Sequence, residues 1–207
     1  MKQNNAIERF NLEFNKHLKF FNYKWTSGKD ISIEWVADQI SFGNVLDIGG
    51  TVQLLKLLSN KKQILASIFD AFPVSDLEPN EYKHSYVGEF SDLLDIISPN
   101  EKFDTIVCRH SLEHCLNPLF VLWQINQLLV DNGKLIVLLP PYNKKWLWFY
   151  THFNCLPEEN WEMLFYRTGF KIEKKEYGQW DKKQRDPHFK ETRYVLISET
   201  KELRLKK

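Results

Sequence analysis

The chain has 207 residues, 43% of them hydrophobic and 14% aromatic, which is enough to bury one substantial core and excludes a disordered tether. A formal net charge of +1 excludes a whole-chain field that would draw it to nucleic acid or an anionic membrane. Three cysteines (Cys108, Cys115, Cys155) without scaffold spacing exclude a disulfide framework and point to a reducing, cytoplasmic setting.

In chain order, Met1 to Asn5 is polar and is not a secretory leader, and no apolar run approaches the ~20 residues of a membrane helix. Ile7, Phe10, Leu12, Phe14, Leu18 and Phe21 predict an amphipathic helix. Ser27-Gly28 breaks it, and Asp30 or Ser32 can cap a short helix holding Ile33, Trp35, Val36 and Ile40. A strand is predicted over 45–48, a glycine turn at Gly49-Gly50, a helix over 52–58 and a second strand over 64–69 ending at Asp70. Pro73 and Pro79 bracket a loop before a short third strand over 85–87. Ser91 can cap a short helix with Leu93, Leu94, Ile96 and Ile97.

The fourth strand is predicted over 104–108, and a helix runs from Pro118 through Phe120, Leu122, Ile125, Leu128 and Leu129. Asp131-Asn132-Gly133-Lys134 reads as a turn into a fifth strand over 135–139, stopped by Pro140-Pro141. A helix begins at Pro157 and is closed by Gly169. Runs over 170–177 and 192–198 read as an antiparallel pair joined by a polar connection. The fold expected is α/β: a doubly wound, mostly parallel seven-stranded sheet with an antiparallel C-terminal hairpin. It divides into a helical cap over 1–42, the α/β domain over 43–200 and a charged tail over 201–207.

The chemistry concentrates where strands end. Asn44-Val45-Leu46-Asp47-Ile48-Gly49-Gly50-Thr51 is an apolar strand running into bare backbone and then a helix, the way such a sheet opens a nucleotide-type pocket. Asp47 can anchor that turn or a polar ligand group. Asp70 lies about 20 residues on, where doubly wound folds place an acid for ribose hydroxyls. Glu89 can take an exocyclic amine, and Phe90 can stack on a base or fill the core.

The run from Phe103 to His114 empties a buried strand into a polar turn. There His110, Glu113 and His114 can act as acid, base or anchor, or simply tie the loop down. Cys108, His110, His114 and Cys115 lack paired ligand spacing, so no metal site is expected. Cys108 should be buried in its strand, which disfavours a nucleophilic role. Tyr142, Trp146, Trp148, Phe149, Tyr150, His152 and Phe153 form an aromatic belt that can line an acceptor site or cover the core. Lys182, Lys183, Arg185, Lys190 and Arg193 can form a basic patch, but interspersed acids favour a solvated surface.

Together these motifs resemble the class I S-adenosylmethionine-dependent methyltransferases, particularly their small-molecule branch. Val45-Leu46-Asp47-Ile48-Gly49 resembles the family's first motif, Asp70 its ribose-binding acid, and Phe103-Asp104 through Ser111-Leu112-Glu113-His114 its fourth-strand motif. Asp131 to Leu135 and Trp161 to Phe170 resemble the turn into the fifth strand and the entry to the sixth. The family's three alternate glycines read here as Gly49, Thr51 and Gln53, so side chains stand where bare backbone is usual, and β-branched Thr51 and Val52 are poorly suited to positive φ.

The resemblance implies S-adenosylmethionine as cofactor, held by Asp47, Gly49, Gly50, Thr51, Asp70, Ala71, Glu89, Phe90, Arg109 and His110. It implies methyl transfer to a small-molecule acceptor, with His110, His114 and His152 as candidate catalytic residues. The alternative is a methyltransferase-like scaffold without activity. A dinucleotide oxidoreductase is disfavoured, since the turn lacks the three-glycine spacing. A nucleic-acid acceptor and a membrane partner are disfavoured, and the sequence sets no oligomeric state.

Overall fold

The computed structural model describes residues 31–50, 52–61, 63–71, 73, 78, 81–142, 152–179 and 190–199. The helix expected through Phe21, the caps and turns at Asp30, Thr51 and Pro79, the belt residues Trp146 to Tyr150, the basic residues Lys182, Lys183 and Arg185, and the tail over 201–207 lie outside them.

The elements are α1 (Ile31–Asp38), β1 (Gly43–Ile48), α2 (Val52–Ser59), β2 (Ile64–Asp70), β3 (Ser85–Val87), α3 (Leu93–Ile96), β4 (Phe103–Arg109), α4 (Pro118–Leu128), β5 (Leu129–Leu139), α5 (Glu158–Arg167), β6 (Phe170–Gly178) and β7 (Glu191–Ser198). Single turns of 3-10 helix precede α3 at Phe90–Asp92 and follow β4 at Leu112–His114.

The seven strands lie in the order β3-β2-β1-β4-β5-β7-β6. β3 through β5 are parallel neighbours, and β7 runs antiparallel to both β5 and β6. This is the doubly wound α/β sheet with an antiparallel C-terminal pair that the alternation of strands and helices implies. The strand order reverses between β1 and β4, and in open sheets of this kind ligands bind in the crevice outside the carboxyl ends at that point.

The central strands are apolar on both faces because helices cover both. Leu46, Ile48, Ile106, Cys108, Leu135 and Val137 face a core completed by α4 and α5 through Leu122, Ile125, Trp161 and Phe165. The alternate residues Val45, Val107, Ile136 and Leu138 face a second core built by Val36 of α1 and Leu54, Leu55 and Leu58 of α2. No described helix is long and apolar enough to cross a membrane.

Three local expectations are corrected. The turn at Asp131-Asn132-Gly133-Lys134 sits inside β5: Phe103 pairs with Leu129, Thr105 pairs with Lys134, and the intervening residues bulge out around Asn132 at φ +59°. Ser32 lies within α1, fully buried, so it is not a cap. Ser91 caps nothing, for its hydroxyl donates to Asp92 Oδ1 at 2.8 Å. The first turn of α3 is satisfied from another helix, where the buried Gln124 of α4 accepts from Leu94 N at 3.1 Å and donates to Phe90 O at 3.3 Å.

Candidate active site

β1 runs into Gly49, whose φ of +66° is a left-handed conformation open to glycine and costly to other residues. Its N–H donates to Phe69 O of β2 at 2.8 Å. A Cβ at Gly49 would stand 2.6 Å from Ser111 Cβ and 3.4 Å from the Phe90 ring, so segments after β3 and β4 both close on this turn. The next residue is needed bare for another reason: a Cβ at Gly50 would lie 2.3 Å from Asp47 Oδ2. Asp47 is buried and its carboxylate braces the turn from within. α2 begins at Val52, so Gln53 is already helical.

Asp70 ends β2 opposite Val87 of β3, and its carbonyl accepts from Gly88 N at 3.0 Å. Ala71 follows half-buried, Glu89 is exposed, and Phe90 is half-buried against the core and the glycine turn. Both roles weighed for Phe90 are thus compatible. A bare left-handed turn, a helix start, a strand-end carboxylate and a ring beside the turn fit an adenosyl amino-acid cofactor.

β4 closes on the buried Arg109, which pairs with Leu138, and the chain then turns sharply at His110 with φ +50°. His110 Nε2 lies 2.7 Å from Glu191 Oε2, and its Nδ1 lies 3.6 Å from Glu113 Oε1. Burial alone would push the His110 pKa down, but the two carboxylates outweigh it and raise it to about 9. At neutral pH His110 is therefore an imidazolium and a poor proton acceptor. Glu191 also takes two bonds from Arg193, at 2.7 Å from Nε and 2.6 Å from the guanidinium terminus.

Glu113 is buried, and its Oε1 also lies 4.0 Å from His114 Nε2. Burial raises its carboxyl pKa, and hydrogen bonding to His110, with the positive charge of that ring, reverses this and lowers it. His114 and His152 meet edge to face, with centroids 4.8 Å apart. Burial pushes the His152 pKa down to about 4, so its ring is neutral at pH 7.

Cys108 is fully buried with its thiol pKa raised by burial, as expected of a structural cysteine. Cys115 is buried too, and its thiol donates to Leu112 O at 3.0 Å. Of the belt, Tyr142 is exposed while His152 and Phe153 are half-buried. Both readings of Arg193, the favoured solvated surface and the basic patch, are corrected: it is buried, paired with Glu191, and stacked 5.1 Å over the Trp35 ring. Sequence reasoning missed Glu191 and Gln124. Glu191 sits two residues from Arg193 on one strand face, a same-face charge pair that could have flagged both.

A methyltransferase-domain family matches residues 26–175. No curated protein sequence matches the chain. Among solved structures, the 1,6-didemethyltoxoflavin-N1-methyltransferase of Burkholderia thailandensis, with S-adenosylhomocysteine bound, superposes with a TM-score of 0.72 at 11% identity, over 97% of this chain and 92% of that one. The [4+2]-cyclase SpnF gives 0.64 at 14% identity, over 83% and 81%. An O-methyltransferase family protein from Burkholderia thailandensis gives 0.58 at 13% identity, over 82% of this chain but 56% of the larger protein. At such identities the structures share the fold, which also serves a cyclase. Through its family match and its sheet order, the chain belongs to the methyltransferase-domain family, of the class I S-adenosylmethionine-dependent type.

Proposed function

We propose that this chain binds S-adenosylmethionine and transfers its methyl group to a small-molecule acceptor. The observation that carries the reading is the left-handed Gly49 turn at the sheet's reversal point, with Phe90 and Ser111 against it and Asp70 ending the adjacent strand. The cofactor supplies a methyl group already activated as a sulfonium, so the protein's task is alignment. Asp70 accepts the ribose hydroxyls, with Ala71 beside it. Glu89 takes the adenine amine, and Phe90 offers its ring to the base. Gly49, Gly50 and Thr51 present backbone, while Asp47 acts through the turn it braces. Arg109 and His110 set the position of the β4 turn.

His110 acts as a fixed cation and not as the base. His114 and His152 are the imidazoles facing the acceptor side. A small-molecule acceptor agrees with the near-neutral net charge and with the Burkholderia thailandensis neighbour, a methyltransferase with 1,6-didemethyltoxoflavin bound. Cys108, Cys115 and Cys155, none of them in a disulfide among the described residues, agree with a reducing cytoplasm. The scaffold alternative has no observation in its favour.

Isothermal titration with S-adenosylmethionine and S-adenosylhomocysteine tests the reading. Micromolar binding is expected, weakened about tenfold or more in Asp70→Ala, checked to be folded by circular dichroism, through loss of charge-assisted hydrogen bonds. No binding by the folded wild-type chain overturns it.

A further inference from the structure

We propose that Glu113, His114 and His152 form a binding site for a borderline divalent transition-metal ion, of which zinc is the type, beside the methyl-transfer cleft. One ligand atom from each of the three lies within 4.8 Å of the others, and Glu113 Oε1 is 4.0 Å from His114 Nε2. Zinc–ligand bonds of about 2.0–2.2 Å place ligand atoms about 3.4 Å apart, so closure asks for side-chain movements of about an ångström.

Three further observations support the site. Glu113 is 1% exposed, yet its Oε2 has no hydrogen-bond partner among the described residues. A buried carboxylate oxygen in that state is costly unless something positive meets it. The segment bearing His152 is pinned to the Glu113 turn, since Asn154 N donates to Glu113 O at 3.0 Å and the Asn154 side-chain amide donates to Cys115 O. The carboxylate also has an outer partner, His110, whose Nδ1 lies 3.6 Å from Oε1 while Glu191 holds its other nitrogen. Outer-shell contacts of this kind orient metal ligands.

Two imidazoles and one carboxylate select zinc-like ions over magnesium or calcium, which prefer all-oxygen shells. Three protein ligands leave a coordination position open, the arrangement of a catalytic rather than a structural centre. The sequence hides the site because His152 comes from beyond β5, whereas Cys108 and Cys115, the tempting partners in sequence, are buried and Cys115 Sγ is spent on Leu112 O.

Resting on the methyl-transfer reading, the site points to a hydroxyl acceptor. Coordination at the open position acidifies the hydroxyl, and its proton leaves to solvent. The oxygen then forms the new O–CH3 bond while the S–CH3 bond breaks, its electron pair remaining on sulfur to leave the neutral thioether.

The test uses the full chain, freed of metal by chelator, titrated with Co²⁺ followed by visible absorption and then with Zn²⁺ in competition. One ion per chain is expected, with the ligand-field bands of low-coordinate cobalt, displaced by zinc. His114→Asn and His152→Asn should each weaken binding by about 100-fold or more, since even outer-shell changes cost 10–100-fold. The surface control His84→Asn should change nothing. Should Glu113→Gln fail to fold, the two histidine variants decide.

Absence of binding by wild type, or binding unaltered in both histidine variants, overturns the inference. Asp70→Ala should retain metal while binding S-adenosylmethionine about tenfold or more weakly. Metal binding without cofactor binding in the wild type therefore sinks only the cofactor reading, and the reverse sinks only this one.

Discussion

Glu191 Oε2 lies 2.7 Å from His110 Nε2, joining the first residue of β7 to the left-handed turn that follows β4. Because the other Glu191 oxygen holds Arg193, one buried carboxylate serves two cations. Glu191→Gln leaves Arg193 buried without a full counter-charge and His110 without its nearer carboxylate. The expected cost is about 3 kcal/mol, as for breaking a buried ion pair, read by urea unfolding. A loss under about 0.5 kcal/mol would place this pair among interactions of no consequence.

His110→Asn tests the same turn from its backbone. Asparagine tolerates the left-handed region, whereas valine does not. At φ +50° the asparagine variant should fold with a melting temperature above that of His110→Val, the two differing by about 1–2 kcal/mol. Equal stability would mean the turn relaxes out of the left-handed conformation.

Gly49→Ala combines two faults, a left-handed φ and a Cβ 2.6 Å from that of Ser111. Conformation alone costs about 1–2 kcal/mol, and the collision adds to it. The double variant Gly49→Ala with Ser111→Gly should recover only the collision part. Full recovery in thermal melts would show that the backbone conformation costs nothing.

Gln124 and Ser91 offer a contrast in capping. Gln124→Ala removes both the acceptor for Leu94 N and the donor to Phe90 O, and should cost about 1–3 kcal/mol. Ser91→Ala should stay within about 0.5 kcal/mol, because that hydroxyl touches only an exposed carboxylate. The reverse order of stabilities would return the cap to Ser91.

The edge strand β3 supplies a pH-dependent term. Burial alone would raise the Glu101 pKa, but Tyr86 Oη at 2.6 Å, Lys83 at 3.3 Å and His84 at 3.7 Å outweigh it and hold it below the ordinary value of 4.5. A carboxylate with a lowered folded pKa stabilises the native state above its unfolded pKa, and that contribution fades as pH falls through the folded pKa. Tyr86→Phe should therefore lose most relative to wild type above about pH 5, and the gap should narrow below pH 4.5. A gap that widens in acid would contradict the direction of the shift.

Hydrophobic periodicity, glycine punctuation and strand–helix alternation are local properties, so the seven strands, the Gly49 turn and the position of Asp70 could be read along the chain. They are written in residues within a few positions of one another. The sequence likewise placed Cys108 inside a buried strand. What contacts what across the sheet was settled only when the chain folded. Glu191 meeting His110, Gln124 capping α3 in place of Ser91, Arg193 buried rather than solvated, and His152 against Glu113 and His114 all join residues from separate elements. Such pairings depend on strand order and crossover direction, and side-chain charge carries no local mark of the partner it will find. That is why the sheet was legible from the sequence while the polar network at its edge was not.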